Sequence, residues 1–207
     1  VACAVPFALG DADFDSDTDI NDVLAVVDFI LEEDFPTEDE FRNVDVNMDE
    51  EINIADVIMM VDIIYGGNAR TIAFDMNEIA YVDLIQDYQN SKLGISIEYD
   101  GPVRGIELEL EFDPEMVNIL STGLSKIQDE VMATSKKIED GKLKVVVANL
   151  NSGVIEGDEN MYLNIPIQFT GNDYQVSTVS LKDIKIAGAD GNIIRSLSRT
   201  ESSDIKA

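Results

Sequence analysis

The sequence predicts two domains of different class, a small all-α unit and then an all-β sandwich. Three observations carry this. An acidic loop followed by an apolar helical stretch occurs twice before residue 67, with a spacing of 34 residues. From residue 92 onward the hydrophobic period becomes two, the period of strands. The charge balance also shifts at about residue 68. Residues 1–67 hold nineteen Asp and Glu against Arg42 alone, a net charge of −18, and residues 68–207 hold 23 acids and 13 bases, a net charge of −10.

The first acidic loop places Asp11, Asp13, Asp15, Asp17, Asp19 and Asp22 at loop positions 1, 3, 5, 7, 9 and 12. The second places Asp45, Asn47, Asp49, Glu51, Asn53 and Asp56 at the same positions. This is the spacing of an EF-hand-type calcium loop, in which small oxygen-bearing side chains wrap the ion. Asp17 and Glu51 are expected to coordinate through their backbone carbonyls, and Asp19 and Asn53 fill position 9, often a water-mediated contact. Two Ca2+ ions are therefore expected, because six or more hard oxygens on a flexible loop suit calcium better than magnesium. A single such loop could be a solvated acidic turn; two in register, each feeding a helix, point to metal.

The helices after the loops, residues 23–31 and 57–64, are apolar almost all round. One face can pack helix on helix, and the rest needs a second cover. That cover is either a partner protein or the second domain of this chain. An Asp six residues beyond each loop also repeats, as Asp28 and Asp62.

Composition excludes several functions. The net charge of −28 disfavours nucleic acid and anionic membranes. There is no His, and Cys3 is the only cysteine, so neither an internal disulfide nor a Cys/His metal site can form. No run of 18 apolar residues occurs, so no membrane span is expected. The first residue is Val1, read as the start of a processed, secreted product. An extracellular location is expected.

Residues 10–66 resemble a dockerin, the calcium-binding half of the cohesin–dockerin pair. The residues that match are Asp11, Asp13, Asp15 and Asp22 and then Asp45, Asn47, Asp49 and Asp56, each set leading into an apolar helix. Residues 32–43 form the link between repeats, with Pro36-Thr37-Glu38 as a helix start. Two departures stand out. Position 6, usually Gly, is Ser16 and Glu50, and position 8 of the first loop is Thr18 where an apolar residue is usual. The resemblance implies partner contacts through positions 10 and 11, here Ile20-Asn21 and Ile54-Ala55, and through helix residues Val27 and Val61. Neither pair is the Ser-Thr common in cellulosomal dockerins, so an unfamiliar specificity is expected.

Residues 66–70, Gly-Gly-Asn-Ala-Arg, read as a break. Five residues span at most ~18 Å, judged too short for the first domain to fold back onto a distant face of the second. Beyond the break, residues 92–99, 105–112, 142–148, 162–169 and 179–186 read as strands separated by turns. Eight or nine such strands indicate a β-sandwich. This region resembles a cohesin on Gly105 to Pro114 followed by 116–120, which implies a jelly-roll sandwich whose flat face receives a dockerin helix. Lys136, Lys137, Lys142, Lys144, Lys182 and Lys185 then become candidate contacts, with Lys142 and Lys144 on one strand face. Ordinary solubilising lysines are the competing reading. The alternating Glu107, Glu109 and Glu111 read as a solvated strand face.

The expected domains are 1–67 with an apolar leader, 71–198, and a C-terminal tail at 199–207. The expected function is calcium-dependent protein–protein assembly, head to tail with other copies into an extracellular polymer. The alternative is an adaptor in a cellulosome-like complex that joins other cohesin or dockerin proteins. Enzyme activity is not expected, because no nucleophile or phosphate-loop motif is present, and the absence of Trp disfavours a sugar platform.

Overall fold

The structure is a computed structural model, and it describes residues 8–66, 79–87, 91–119, 130–157, 161–170, 176–188, 190–200 and 202–206. Cys3, most of the apolar leader and residues 67–70 of the expected break lie outside the described residues.

Among the described residues three helices come first: α1 (Ile20–Ile30), α2 (Glu38–Val44) and α3 (Ile54–Ile64). Each starts at a side chain that satisfies its orphan amides. Asp19, Thr37 and Asn53 are the N-caps, and Asp22, Glu40 and Asp56 complete capping boxes from the third helical position. The loop residues at positions 9 and 12 therefore also start α1 and α3. Val23, Val26, Val27 and Ile30 of α1 share one apolar cluster with Val57, Ile58, Met60 and Val61 of α3.

Ten strands follow among the described residues: β1 (Ile79–Asp87), β2 (Lys92–Glu98), β3 (Gly105–Phe112), β4 (Val117–Ile119), β5 (Val131–Glu139), β6 (Lys142–Asn149), β7 (Met161–Phe169), β8 (Val176–Ala187), β9 (Ile193–Thr200) and β10 (Ser202–Lys206). They pair in the order β4-β7-β2-β1-β9-β8-β3-β6-β5, with β10 also on β8. The β1–β9 pair is parallel and the other pairs are antiparallel. The path folds on itself into a β-sandwich. Leu84, Ile95 and Leu163 from one half share a core with Leu108, Val145 and Val147 from the other. The segment expected as a tail is strand: β9 runs to Thr200, and β10 closes on β8 with Ser203 opposite Val179.

β3 shows how the strand period sorts side chains. Ile106, Leu108, Leu110 and Phe112 enter the sandwich core. Glu107 points to the opposite face, yet it is only 7% exposed. The expectation of a solvated face fails there, because the helices cover it. β6 explains the cover. Leu143, Val145 and Val147 face the sandwich core, whereas Val146 and Ala148 belong to the helical cluster with Val57 and Ile58. This outer face cannot be left in water without exposing a contiguous apolar patch.

The helical unit therefore lies against the β8-β3-β6 face of its own chain, in contrast to the expectation that the connection is too short. Residue 71, the expected start of the sandwich, lies outside the described residues, among which the first strand is β1 from Ile79. Fourteen residues separate α3 from β1, and fourteen extended residues reach at most about 48 Å.

Candidate functional site

Both acidic loops wind in the same way. In the first, the Ser16 amide donates to Asp11 Oδ2 (3.1 Å), the Asp15 amide to Asp13 Oδ1 (3.1 Å), and the Ala12 amide to Asp22 Oδ1 (2.7 Å). In the second, the Glu50 amide donates to Asp45 Oδ2 (3.1 Å), the Asp49 amide to Asn47 Oδ1 (2.9 Å), and the Val46 amide to Asp56 Oδ1 (2.9 Å). The position 12 carboxylate thus ties the loop's entrance to the start of its helix. Side-chain oxygens of Asp11, Asp13 and Asp15 come within 4.8 Å of one another, as do those of Asp17, Asp19 and Asp22.

The residues fit calcium. The donors are hard oxygens, and Asp11 Oδ1 is buried with no hydrogen-bond partner, a cost that a cation removes. In the second loop, burial pushes the Asp56 carboxyl up to about 7. In the first, the neighbouring Asp15 charge leads in raising Asp17. A divalent ion would offset both effects. Asp11, Asp13, Asp15 and Asp22 would hold one ion, and Asp45, Asn47, Asp49 and Asp56 the other.

Asp56 also sets a pH dependence. A carboxyl whose folded pKa lies above its unfolded value of 3.8 stabilises the fold while protonated. In calcium-free protein that contribution should fade as pH rises from about 4 through about 7, a loss on the order of a few kcal/mol. Denaturant melts in EDTA at pH 5 and pH 8 check this: stability should be lower at pH 8.

The departures at position 6 have a backbone consequence. Ser16 and Glu50 adopt φ of 80° and 69°, the left-handed region that favours glycine. Ser16→Gly and Glu50→Gly should each raise stability by about 0.5–1 kcal/mol in calcium, measured by thermal melting, because each relieves a cost of about 1–2 kcal/mol and forfeits some chain entropy.

The second part of the site is the contact between α3 and the sheet. The Ile54 amide, first in α3, donates to Glu107 Oε2 at 3.1 Å. Two turns on, Asp62 accepts from both terminal nitrogens of Arg104 at 2.8 Å and from Ser152 Oγ at 3.1 Å. Lys185 pairs with Glu51 of the second loop at 3.0 Å. Lys144 pairs with Glu32 at 2.7 Å and also reaches the Ile30 carbonyl, and Lys136 reaches the Glu32 carbonyl. The helix approaches closely because two glycines leave room. A Cβ on Gly105 would stand 2.5 Å from Ile54 Cγ1, and one on Gly191 would stand 2.8 Å from Met59 Cγ.

The candidate contact residues thus separate. Ile54 and Ala55 are fully buried at the sheet side of α3, and Lys144 reaches the helical unit. Val27 and Val61 lie in the helical cluster. Lys142 pairs with Glu139 on its own hairpin, Lys182 with Glu111, and Lys137 bonds Asn118. Ile20 and Asn21 are exposed, and the Asn21 amide caps back onto Asp19. Sequence reasoning missed Arg104, Asp62 as its partner, Gly105 and Gly191. The repeat of Asp28 as Asp62 and a glycine opening an otherwise regular strand were the signals available.

No family model matches the chain, and no curated protein matches it. Solved structures do match. A cohesin module from a Clostridium perfringens family 33 glycoside hydrolase is 18% identical, with 62% of this chain and 95% of that chain covered and a TM-score of 0.43. The second type II cohesin of the ScaA scaffoldin from Acetivibrio cellulolyticus is 11% identical, with 65% and 99% covered and a TM-score of 0.48. A type II Cohesin-X-Dockerin complex from Acetivibrio cellulolyticus is 12% identical, with 61% and 98% covered and a TM-score of 0.49.

Proposed function

We propose that this chain is a non-catalytic, calcium-dependent assembly protein in which a dockerin-like helical plug and a cohesin-like, jelly-roll socket occur together. One observation carries the reading: α3 is seated on the sheet by a capped amide, a two-pronged Arg104–Asp62 pair and two glycine openings. Such a contact is built from surface that neither half could leave in water. Calcium in the two loops fixes the start of α1 and α3 and so presents the plug.

The same contact can form within one chain or between copies. A short connection gives the plug an effective concentration in the millimolar range, so dilute protein closes on itself. Concentrated protein exchanges plugs between copies, and the contact, being heterologous, propagates head to tail. An extracellular setting suits this chemistry, since calcium sites of extracellular modules operate at about 10⁻⁴–10⁻³ M. In the adaptor reading, the plug and socket engage different proteins.

Light scattering coupled to size exclusion, with electron microscopy of concentrated samples, tests the proposal. Calcium should produce monomers at micromolar protein and growing oligomers or fibres towards millimolar, and EDTA should abolish the oligomers. A monomer at every concentration with calcium present contradicts self-assembly.

A further inference from the structure

Arg104 and Glu107 lie three residues apart on one edge of the track where α3 sits, and they carry opposite charges. Arg104 directly precedes β3, and its backbone is fixed on both sides: its amide donates to the Ala187 carbonyl and its carbonyl accepts from the Asn149 amide, both at 2.9 Å. Its side chain is therefore launched from a rigid point, and the residue is only 4% exposed. Glu107 is anchored in the ladder opposite Val146 and Lys185. Between them Gly105 lets Ile54 and Ile58 rest on the strand backbone.

The helix side matches in length and in sign. Glu107 meets the amide of Ile54, at the positive end of the α3 dipole. Arg104 meets Asp62, eight residues later and near the negative end. Eight helical residues rise about 12 Å, and three strand residues about 10 Å, so the two pairs close together. A helix laid the other way would set its carboxylate against Glu107 and its amide end against Arg104, two repulsive contacts in a largely dry site.

We infer that Arg104 and Glu107 are the specificity-determining residues of the socket. Together they admit an apolar helix whose first amide is free and which carries a carboxylate eight residues on, running against β3. They reject a reversed helix and one with a cation at that position. This rests on the plug-and-socket reading. Area alone would hold many helices; the like charges that a wrong one brings together, in place of the Arg104–Asp62 pair and the Glu107–amide bond, supply the discrimination.

The test is a charge-reversal cycle on the full chain in calcium, R104D, D62R and R104D/D62R, read by hydrogen exchange of the α3 amides. Each single variant should speed exchange in α3 by about 30-fold or more, the scale for truncating a buried charge pair. The double variant should exchange at least about tenfold more slowly than either single. Far-UV circular dichroism confirms that the helices and sandwich persist, and β3 exchange reports the sheet separately. Mixing D62R with R104D gives a second readout: the mixture should form complexes that neither variant forms alone. A double variant as open as the singles, together with a mixture that does not associate, overturns the inference. Rapid α3 exchange in the unaltered chain with calcium would instead remove the docking reading on which the inference rests.

Discussion

Chelating calcium should lower the melting temperature of the helical unit by about 10 °C or more. Loop one gathers six carboxylates and loop two gathers four, with Asn47 and Asn53 in the remaining places. Without a cation these charges repel, and Asp11 Oδ1 stays buried without a partner. A ligand at 100 times its Kd adds about 2.7 kcal/mol per site. In a domain of this size each kcal/mol moves Tm by roughly 4–8 °C. Calorimetry with calcium and with EDTA measures the shift. Asp11→Ala combined with Asp45→Ala should reproduce the EDTA value in the presence of calcium, because each removes the carboxylate that would be the first ligand of its loop. Magnesium should restore less of the stability, since it demands stricter octahedral geometry and gives up its waters reluctantly. Equal melting temperatures with calcium and EDTA would contradict the assigned role of the loops.

Gly105→Val should unseat α3 while leaving the sandwich folded. The residue pairs with Ala148 on β6 and Ala187 on β8, and a β-branched residue suits such a strand. Its new side chain, however, starts 2.5 Å from Ile54 Cγ1 and 3.1 Å from Ile58 Cγ1. Ile54 and Ile58 are themselves fully buried and cannot retreat into the helical cluster. Overpacking of this kind costs about 1–3 kcal/mol, and lifting the helix also exposes Val146 and Ala148. Dye binding to exposed apolar surface should rise, exchange in α3 should accelerate, and β2 and β7 should be unaffected. Gly105→Ala should show the same effects to a smaller degree. Unchanged dye binding and α3 exchange in Gly105→Val would show that the helix does not rest on this strand.

Both halves were legible in the sequence for physical reasons. The oxygen-bearing side chains at fixed intervals from Asp11 to Asp22 and from Asp45 to Asp56 end in the caps of α1 and α3, so the loop–helix repeat announces itself. The two-residue period of β3 announces a strand. The contact between the halves was legible only in part. The apolar surplus on α3 showed that something covers it, and the loss of alternation after Lys144 in β6, Val-Val-Val-Ala, shows that both faces of that strand are covered. Neither says that the two belong together, because hydrophobic burial is non-directional. The pairing is fixed by Arg104 with Asp62 and Glu107 with the Ile54 amide, residues 42 and 53 positions apart. Such separations leave no local pattern. The reach of the connection was not legible, because the period-two signal does not mark where the first strand begins.

The amide of Ile54 joins the two claims in a single atom. It is the first of α3, it follows directly on the Asn53 cap of the second acidic loop, and it donates to a carboxylate of the sandwich. Its exchange rate by NMR, with calcium and with EDTA, tests the account most directly. Strong protection in calcium and rapid exchange in EDTA are the predicted results. An amide that exchanges rapidly with calcium bound, or that stays equally protected without it, would contradict a calcium-ordered helix seated on the sheet.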